Sequence, residues 1–152
     1  MQNHQIDNLD RKILNALRTD ARIPYAELGK QFQVSPATIH VRIEKLKMAG
    51  IVTGTQLMLN PKKLGYDVCC FIGIILKSAG DYPRAIEQLN AIDEVVEAHY
   101  TTGQFSIFVK ILCRSIEDLQ FLLINKIQSI DTVRATETLI SLQNPIDRSV
   151  RI

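Results

Sequence analysis

Apolar positions recur at two different periods along this chain, and the change from one to the other falls after Gly50. Before it, apolar residues return every three or four positions, the spacing of a helix face. Leu9, Ile13, Leu14 and Leu17 make the inner stripe of a helix over residues 6–18, and Asp7 and Asp10 suit the positive end of its dipole. Thr19-Asp20-Ala21-Arg22 is a polar connector. Residues 24–33 predict a second, short helix with Tyr25, Leu28 and Phe32 inward. A third follows over residues 36–49: Ser35 is a good N-cap, Pro36 sits where a missing N–H costs nothing, and Gly50 closes the helix. Ile39, Ile43 and Leu46 fall on one side of it. Leu9, Ile13, Leu17, Leu28, Phe32, Ile39, Ile43 and Leu46 can share one small core.

Only Val34 and Ser35 separate the second helix from the third, so the two must cross steeply. Gly29, without a side chain, lets their backbones approach. A short helix, a tight turn and a capped helix make a helix-turn-helix, whose second helix enters the DNA major groove. The other reading is an ordinary helical hairpin in an all-α core. The face opposite Ile39, Ile43 and Leu46 favours the first. It carries Ala37, Thr38, His40, Val41, Arg42 and Lys45, small or polar groups followed by cations. With Ser35 and Pro36 these are the candidate DNA-binding residues. Thr38, His40 and Arg42 suit base edges or nearby phosphates, while Lys45 and Lys47 suit phosphates or plain solvation.

Beyond Gly50 the period changes. Residues 51–59 are rich in β-branched side chains and contain Gly54, which predicts a β-wing or linking strand. Asn60-Pro61-Lys62-Lys63-Leu64-Gly65 then punctuates the chain, giving domains over residues 1–60 and 61–152. The second half predicts a strand over 66–76 and a helix over 81–92 with Ile86, Leu89 and Ile92 inward. Strands over 95–101 and 105–112 follow, joined through Thr102-Gly103-Gln104. A helix over 115–130, opened by the capping pair Ser115 and Asp118, turns Ile116, Leu119, Leu123, Ile127 and Ile130 inward. A strand over 133–142 comes last, and Pro145 starts an irregular tail. The fold class is α+β: an N-terminal winged helix-turn-helix and a ferredoxin-like βαββαβ domain. Both helices of the latter cover one face of a four-stranded sheet. The first strand is apolar on its second face too, so either another subunit or the helical domain covers it.

Charge sharpens this picture only in its distribution. The chain has 152 residues, 46% hydrophobic and 22% charged, with a net charge of +2. Residues 1–60 hold eight Lys/Arg against five Asp/Glu, and residues 61–152 hold ten against eleven, so the halves carry +3 and −1. The positive excess lies with the inserted helix, as phosphate binding requires, but it is small enough to call for at least a dimer. An architectural DNA-binding protein would show a far larger basic excess. A small amino-acid-handling enzyme is the alternative from another class. Against it, the sequence offers no nucleophile–base pair, paired catalytic carboxylates, phosphate-cradling loop or metal-ligand spacing, His4, His40 and His99 being scattered. Adjacent Cys69 and Cys70 point to opposite faces of a strand and, with Cys113, read as reduced structural thiols. A polar start and the lack of any apolar run able to span a bilayer place the chain in the cytoplasm.

These features together resemble the Lrp/AsnC family of prokaryotic transcription regulators. The motifs that carry the resemblance are Asp10-Arg11-Lys12-Ile13-Leu14, Val34-Ser35, Thr38-Ile39, Arg42-Ile43, Gly50-Ile51, Leu64-Gly65, Thr102-Gly103 and Thr136-Glu137-Thr138. Tyr66-Asp67-Val68 and Tyr100-Thr101-Thr102-Gly103 are most similar to the asparagine-responsive branch. The resemblance implies a regulator without a cofactor and with an amino-acid effector, L-asparagine. It implies dimers through the second domain that assemble further, as in an octamer. It places the effector at the loop between the middle strands, with Tyr100, Thr101, Thr102, Gly103, Gln104 and Ser106 as ligand-binding residues. Gly103 would let a ligand approach the backbone and the polar side chains would meet a zwitterion, although a plain hairpin loop looks much the same. Many relatives carry Asp where this chain has Ser106. Leu139 and Ile140 match positions linked to effector response in relatives, and read equally well as core. The two DNA-reading helices of a dimer would meet successive major grooves about 34 Å apart.

Overall fold

The computed structural model describes residues 5–152, so the opening residues and His4 lie outside the described residues. The chain divides into two compact units, one reaching Met58 and including Arg148–Ile152, the other Leu59–Asp147. The division thus falls beside the predicted punctuation at Pro61, but the end of the tail groups with the first unit, where Arg18 Nη1 donates to the Val150 carbonyl at 2.6 Å.

The first unit holds α1 (Asn8–Thr19), α2 (Tyr25–Phe32) and α3 (Pro36–Met48). Asp7 caps α1 by accepting from the Asp10 N–H at 2.9 Å, and the Asp10 carboxylate accepts from the Asp7 N–H at 3.2 Å. This reciprocal box satisfies N–H groups that the first turn leaves over. Ser35 caps α3 from one side only, its Oγ accepting from the Thr38 N–H at 3.1 Å. Between α2 and α3 the chain turns at Gln33, which has φ +57°, a left-handed conformation uncommon outside glycine. A Cβ built on Gly29 would lie 2.7 Å from the Val34 carbonyl oxygen and 3.2 Å from the Pro36 nitrogen, so the turn folds directly onto this residue. Ile13, Leu28, Ile39 and Ile43 are buried together, with Leu9, Leu17 and Phe32 packed around them. Leu46 is also buried.

One predicted element is corrected. Residues 51–59 form no strand, and Leu57, Met58 and Leu59 are exposed. β-propensity describes how a side chain fits a pleated surface, and among the described residues of this unit no neighbouring strand offers one.

The second unit begins with a 3-10 turn, Lys62–Leu64, and continues as β1 (Val68–Leu76), α4 (Tyr82–Asn90), β2 (Val95–Tyr100), β3 (Ile107–Cys113), α5 (Ile116–Leu122) and β4 (Val133–Ile140). The strands form one antiparallel sheet in the order β2-β3-β1-β4. Alternation sends Cys70, Ile72, Ile74 and Leu76 of β1 into a core with Ile107, Val109 and Ile111 of β3 and with Leu89, Leu119 and Leu122 of the helices. Burial pushes the Cys70 thiol up to about 12, with neighbouring Cys113 and Cys69 adding to the shift, so it stays protonated and inert. The opposite side of the sheet has no helix of this unit on it. There Phe71 and Phe108 stack with centroids 5.8 Å apart, beside half-exposed Leu139.

The helix predicted over 115–130 changes form midway. After α5 the chain continues as a π-helical turn, Leu123–Ile127, in which the Gln128 N–H bonds the Leu123 carbonyl at 2.8 Å. The wider turn lets Leu122 and Ile127, five positions apart, both face the core. Ile116, predicted inward, is instead 53% exposed. Leu139 and Ile140 are not core residues either, at 48% and 51% exposed.

Gly29→Ala is expected to destabilise the first unit by about 1–2 kcal/mol, since a backbone clash of this kind outweighs the helix propensity gained. A lower denaturant midpoint with unchanged slope would register it.

Candidate nucleic-acid interface and effector loop

Burial of Ile39, Ile43 and Leu46 fixes which side of α3 looks outward. Ser35, Pro36, Ala37, His40, Val41 and Lys45 are exposed, and Thr38 is half-buried. The Ser35 hydroxyl lies 2.8 Å from Thr38 Oγ1, so the cap also orients the Thr38 side chain. His40 stands 5.9 Å from the Tyr25 ring, centroid to centroid, which limits its swing. Lys47 pairs with Glu44 at 2.8 Å, whereas Lys45 forms no ion pair among the described residues. The first unit therefore offers a short exposed row, Ala37, Val41 and Lys45, with half-buried Thr38 and exposed His40 beside it.

Arg42 departs from this pattern. Its guanidinium turns toward α1 and bonds Asp7, and it reaches Asp10 Oδ1 at 3.3 Å and Oδ2 at 3.4 Å. Asp10 is only 1% exposed, and a buried carboxylate needs a cation or several donors. The Asp10 N–H and then the Arg42 guanidinium hold the Asp7 carboxyl below its ordinary value. Bonding to Asp7 raises the Arg42 pKa in turn. Spacing could not reveal this contact, because the partners lie 32 and 35 positions apart.

In the second unit the loop between β2 and β3 sorts the candidate ligand residues into two groups. Two hydroxyls serve the loop itself: Thr101 Oγ1 donates to the Phe105 carbonyl at 2.7 Å, and Ser106 Oγ accepts from the Leu76 N–H at 3.3 Å. The Ser106 N–H also reaches the Ile74 carbonyl at 2.8 Å. Thr102, Gly103 and Gln104 are exposed at the tip, where Gly103 has φ +103°. Only glycine takes that conformation without strain. Tyr100 is 60% exposed and packs on Tyr82 with centroids 4.3 Å apart.

Sequence reasoning missed the pin under this loop. A Cβ on Gly73 would meet the Phe105 ring at 2.6 Å, so the ring sits flat where β1 has no side chain. A glycine inside an apolar strand was the available signal. A concavity of about 360 Å³ opens elsewhere in the unit, among Tyr66, Glu94, Arg114, Phe121 and Lys126. It shares no residue with the loop. Much of its charge is answered internally, by Lys126 on Glu94 at 3.0 Å and Arg114 over the Tyr66 ring at 5.1 Å. The exposed loop remains the candidate effector site.

Comparison with known proteins bears on both surfaces. Residues 6–47 match the AsnC-type helix-turn-helix domain, and residues 69–150 match the Lrp/AsnC ligand binding domain. The chain is 64% identical over 151 residues to regulatory protein AsnC of Escherichia coli K12, covering 99% of each. It is 58% identical over 148 residues to regulatory protein AsnC of Haemophilus influenzae, covering 97% of this chain and 99% of that one. The structure of E. coli AsnC superposes with a TM-score of 0.94, covering 98% of this chain and all of that one. A feast or famine regulatory protein of Mycobacterium tuberculosis, complexed with L-methionine, is 26% identical with a TM-score of 0.87, covering 97% of this chain and 100% of that one.

The Asp7 contribution to stability is present above its ordinary 3.8 and is lost as pH falls through its lower folded value. Asp7→Asn keeps a good cap but removes the charge. Its melting temperature is therefore expected to fall less steeply than that of the unaltered chain between about pH 6 and about pH 3, as followed by circular dichroism.

Proposed function

The chain belongs to the Lrp/AsnC family of transcription regulators, and from that premise we propose that it reads specific promoter DNA through the exposed row of α3 and senses L-asparagine at the β2–β3 loop. It is a DNA-binding regulator with an amino-acid-binding domain rather than an enzyme. Among the described residues no helix is long and apolar enough to cross a membrane. Action on DNA in the cytoplasm accords with that.

The observation that carries the reading is the outward presentation of Ala37, Thr38, Val41 and Lys45 on a capped helix whose other side is fully buried. Such a row fits a major groove: the small groups admit close approach, Thr38 and His40 reach base edges, and Lys45 meets phosphate. Ser35, Pro36 and Ala37 bring the positive helix end toward the backbone. Two copies are needed to span paired half-sites. The helix-free side of the sheet, with Phe71, Phe108 and Leu139, supports a dimer formed there, and dimers would associate further, as in an octamer.

At the loop, Thr102, Gln104 and the backbone around Gly103 supply donors and acceptors for an amino-acid zwitterion, and Tyr100 supplies a wall. Thr101 and Ser106 hold the loop in shape through their inward hydroxyls. The name shared by the 64% and 58% identical relatives supports asparagine as the effector. Effector binding acts by favouring one state of assembly over another, and so changes promoter occupancy.

Titration of labelled promoter and random duplexes under competitor is expected to show a clear preference for the promoter. Equal affinity would indicate an architectural protein instead. In a melting screen of amino acids, asparagine at about a hundred times its dissociation constant is expected to stabilise the folded chain by about 2.7 kcal/mol. A flat response to asparagine would remove the sensing half of the proposal.

A further inference from the structure

We infer that Gln33, in the turn between α2 and α3, is a further DNA contact of the first unit, its side-chain amide donating to a backbone phosphate at the edge of the groove that α3 enters. This rests on the proposed reading of α3 as the DNA-reading helix and extends that surface to a residue outside the helix.

The conformation of Gln33 is the starting point. Among the described residues it is the one non-glycine with a positive φ, at +57°. An L side chain holds that conformation at a cost that glycine would not incur. The position also ends α2: the Gln33 N–H bonds the Lys30 carbonyl at 3.4 Å and the Val34 N–H bonds the Gly29 carbonyl at 2.9 Å, a helix ending that favours glycine. Within the fold the side chain does nothing to offset that cost. It is exposed, and among the described residues its amide makes no hydrogen bond.

The turn decides where the amide is carried. Its inner side is closed, because the Val34 carbonyl and the Pro36 nitrogen lie against Gly29 and because Val34 packs on the small core. Gln33 is left on the outer side. Ser35, two residues on, caps α3, so Gln33 lies within about 7 Å of the helix end that meets the bases first. Phosphates line both edges of a major groove, and the segment leading into a reading helix passes beside them. A glutamine amide offers two N–H donors to such oxygens. The turn sets the direction of its Cα–Cβ bond before binding, so only the side-chain torsions remain to be ordered. Being neutral, the amide displaces no counterion and adds nothing to the salt dependence.

Two variants of the full chain separate the amide from the turn. Gln33→Gly removes the amide and relieves the backbone, whereas Gln33→Ala removes the amide and keeps the backbone cost. Each is titrated over a range of salt with a duplex selected from a random pool by the unaltered chain and with an unselected duplex. The temperature is one at which circular dichroism shows every variant folded. Gln33→Gly is expected to melt a few degrees above the unaltered chain, and Gln33→Ala close to it. Both are nevertheless expected to bind each duplex about three- to tenfold more weakly. Preference between the duplexes and the slope of log affinity against log salt should stay as they are in the unaltered chain.

The inference is overturned if Gln33→Gly binds as tightly as the unaltered chain, since the side chain then plays no part on DNA. A loss in Gln33→Gly that Gln33→Ala does not share also overturns it, because the stiffness of the turn would then be what matters. A loss confined to the selected duplex removes the phosphate assignment, the amide then reading a base. Failure of the unaltered chain to prefer any duplex would instead refute the DNA-reading proposal itself.

Discussion

A carboxylate taken out of water must be answered by charge or by several donors, and Asp10 is that carboxylate here. The first unit has a small core, built around Ile13, Leu28, Ile39 and Ile43, so one uncompensated charge beside it is a large fraction of the stability available. Part of the answer comes from α3, through Arg42, and part from the reciprocal cap with Asp7. This contact ties the beginning of α1 to the middle of α3. The remaining freedom between α2 and α3 is taken up at Gly29, where the backbone of the turn lies too close for any side chain. The exposed row on α3 is thus held from two sides by contacts of opposite kind, one ionic and one steric.

The second unit solves its own problem in a similar manner. A loop proposed to meet a small ligand must be exposed, yet exposed loops lose shape unless their backbone groups are satisfied. Here Thr101 and Ser106 turn their hydroxyls inward to the loop and to β1, and the Phe105 ring fills the space that Gly73 leaves open. The polar side chains of the loop therefore divide, some spent on structure and Thr102 and Gln104 left at the tip. Residue type alone does not reveal that division, since a threonine hydroxyl suits either task.

What the sequence made legible follows from what periodicity can carry. The stripe of Ile39, Ile43 and Leu46 is a local pattern, and it is buried as read. The caps at Ser35 and Ser115 are equally local, and each accepts the expected backbone N–H. The four strands and two helices of the second unit follow in the expected order. Failures occurred where the deciding partner lies far along the chain or is missing from it. The stretch after Gly50 has strand-forming residues but no ladder to join. The π-helical turn places Leu122 inside and Ile116 outside, a shift of register that a regular period cannot encode. Periodicity is also silent on the contact between Arg42 and Asp10, which spans 32 positions and leaves the expected part of Arg42 in DNA binding open to test.

The contact of Arg42 with Asp7 and Asp10 bears on the energetics of the proposed DNA recognition. A good base contact discriminates by about 1–3 kcal/mol. Under the proposed reading Thr38 and His40 of one copy of α3 reach base edges, which gives at most about 2–6 kcal/mol. Specific binding generally exceeds non-specific binding by about 4–10 kcal/mol, so one copy reaches only the lower part of that range. The basic excess of +3 in residues 1–60 adds affinity without sequence preference. Two copies held at a fixed spacing double the discriminating contacts and bring the total into the required range. Under the proposed dimer the apolar side of the sheet in the second unit then becomes part of sequence recognition, because it supplies the second reading helix that the first cannot do without.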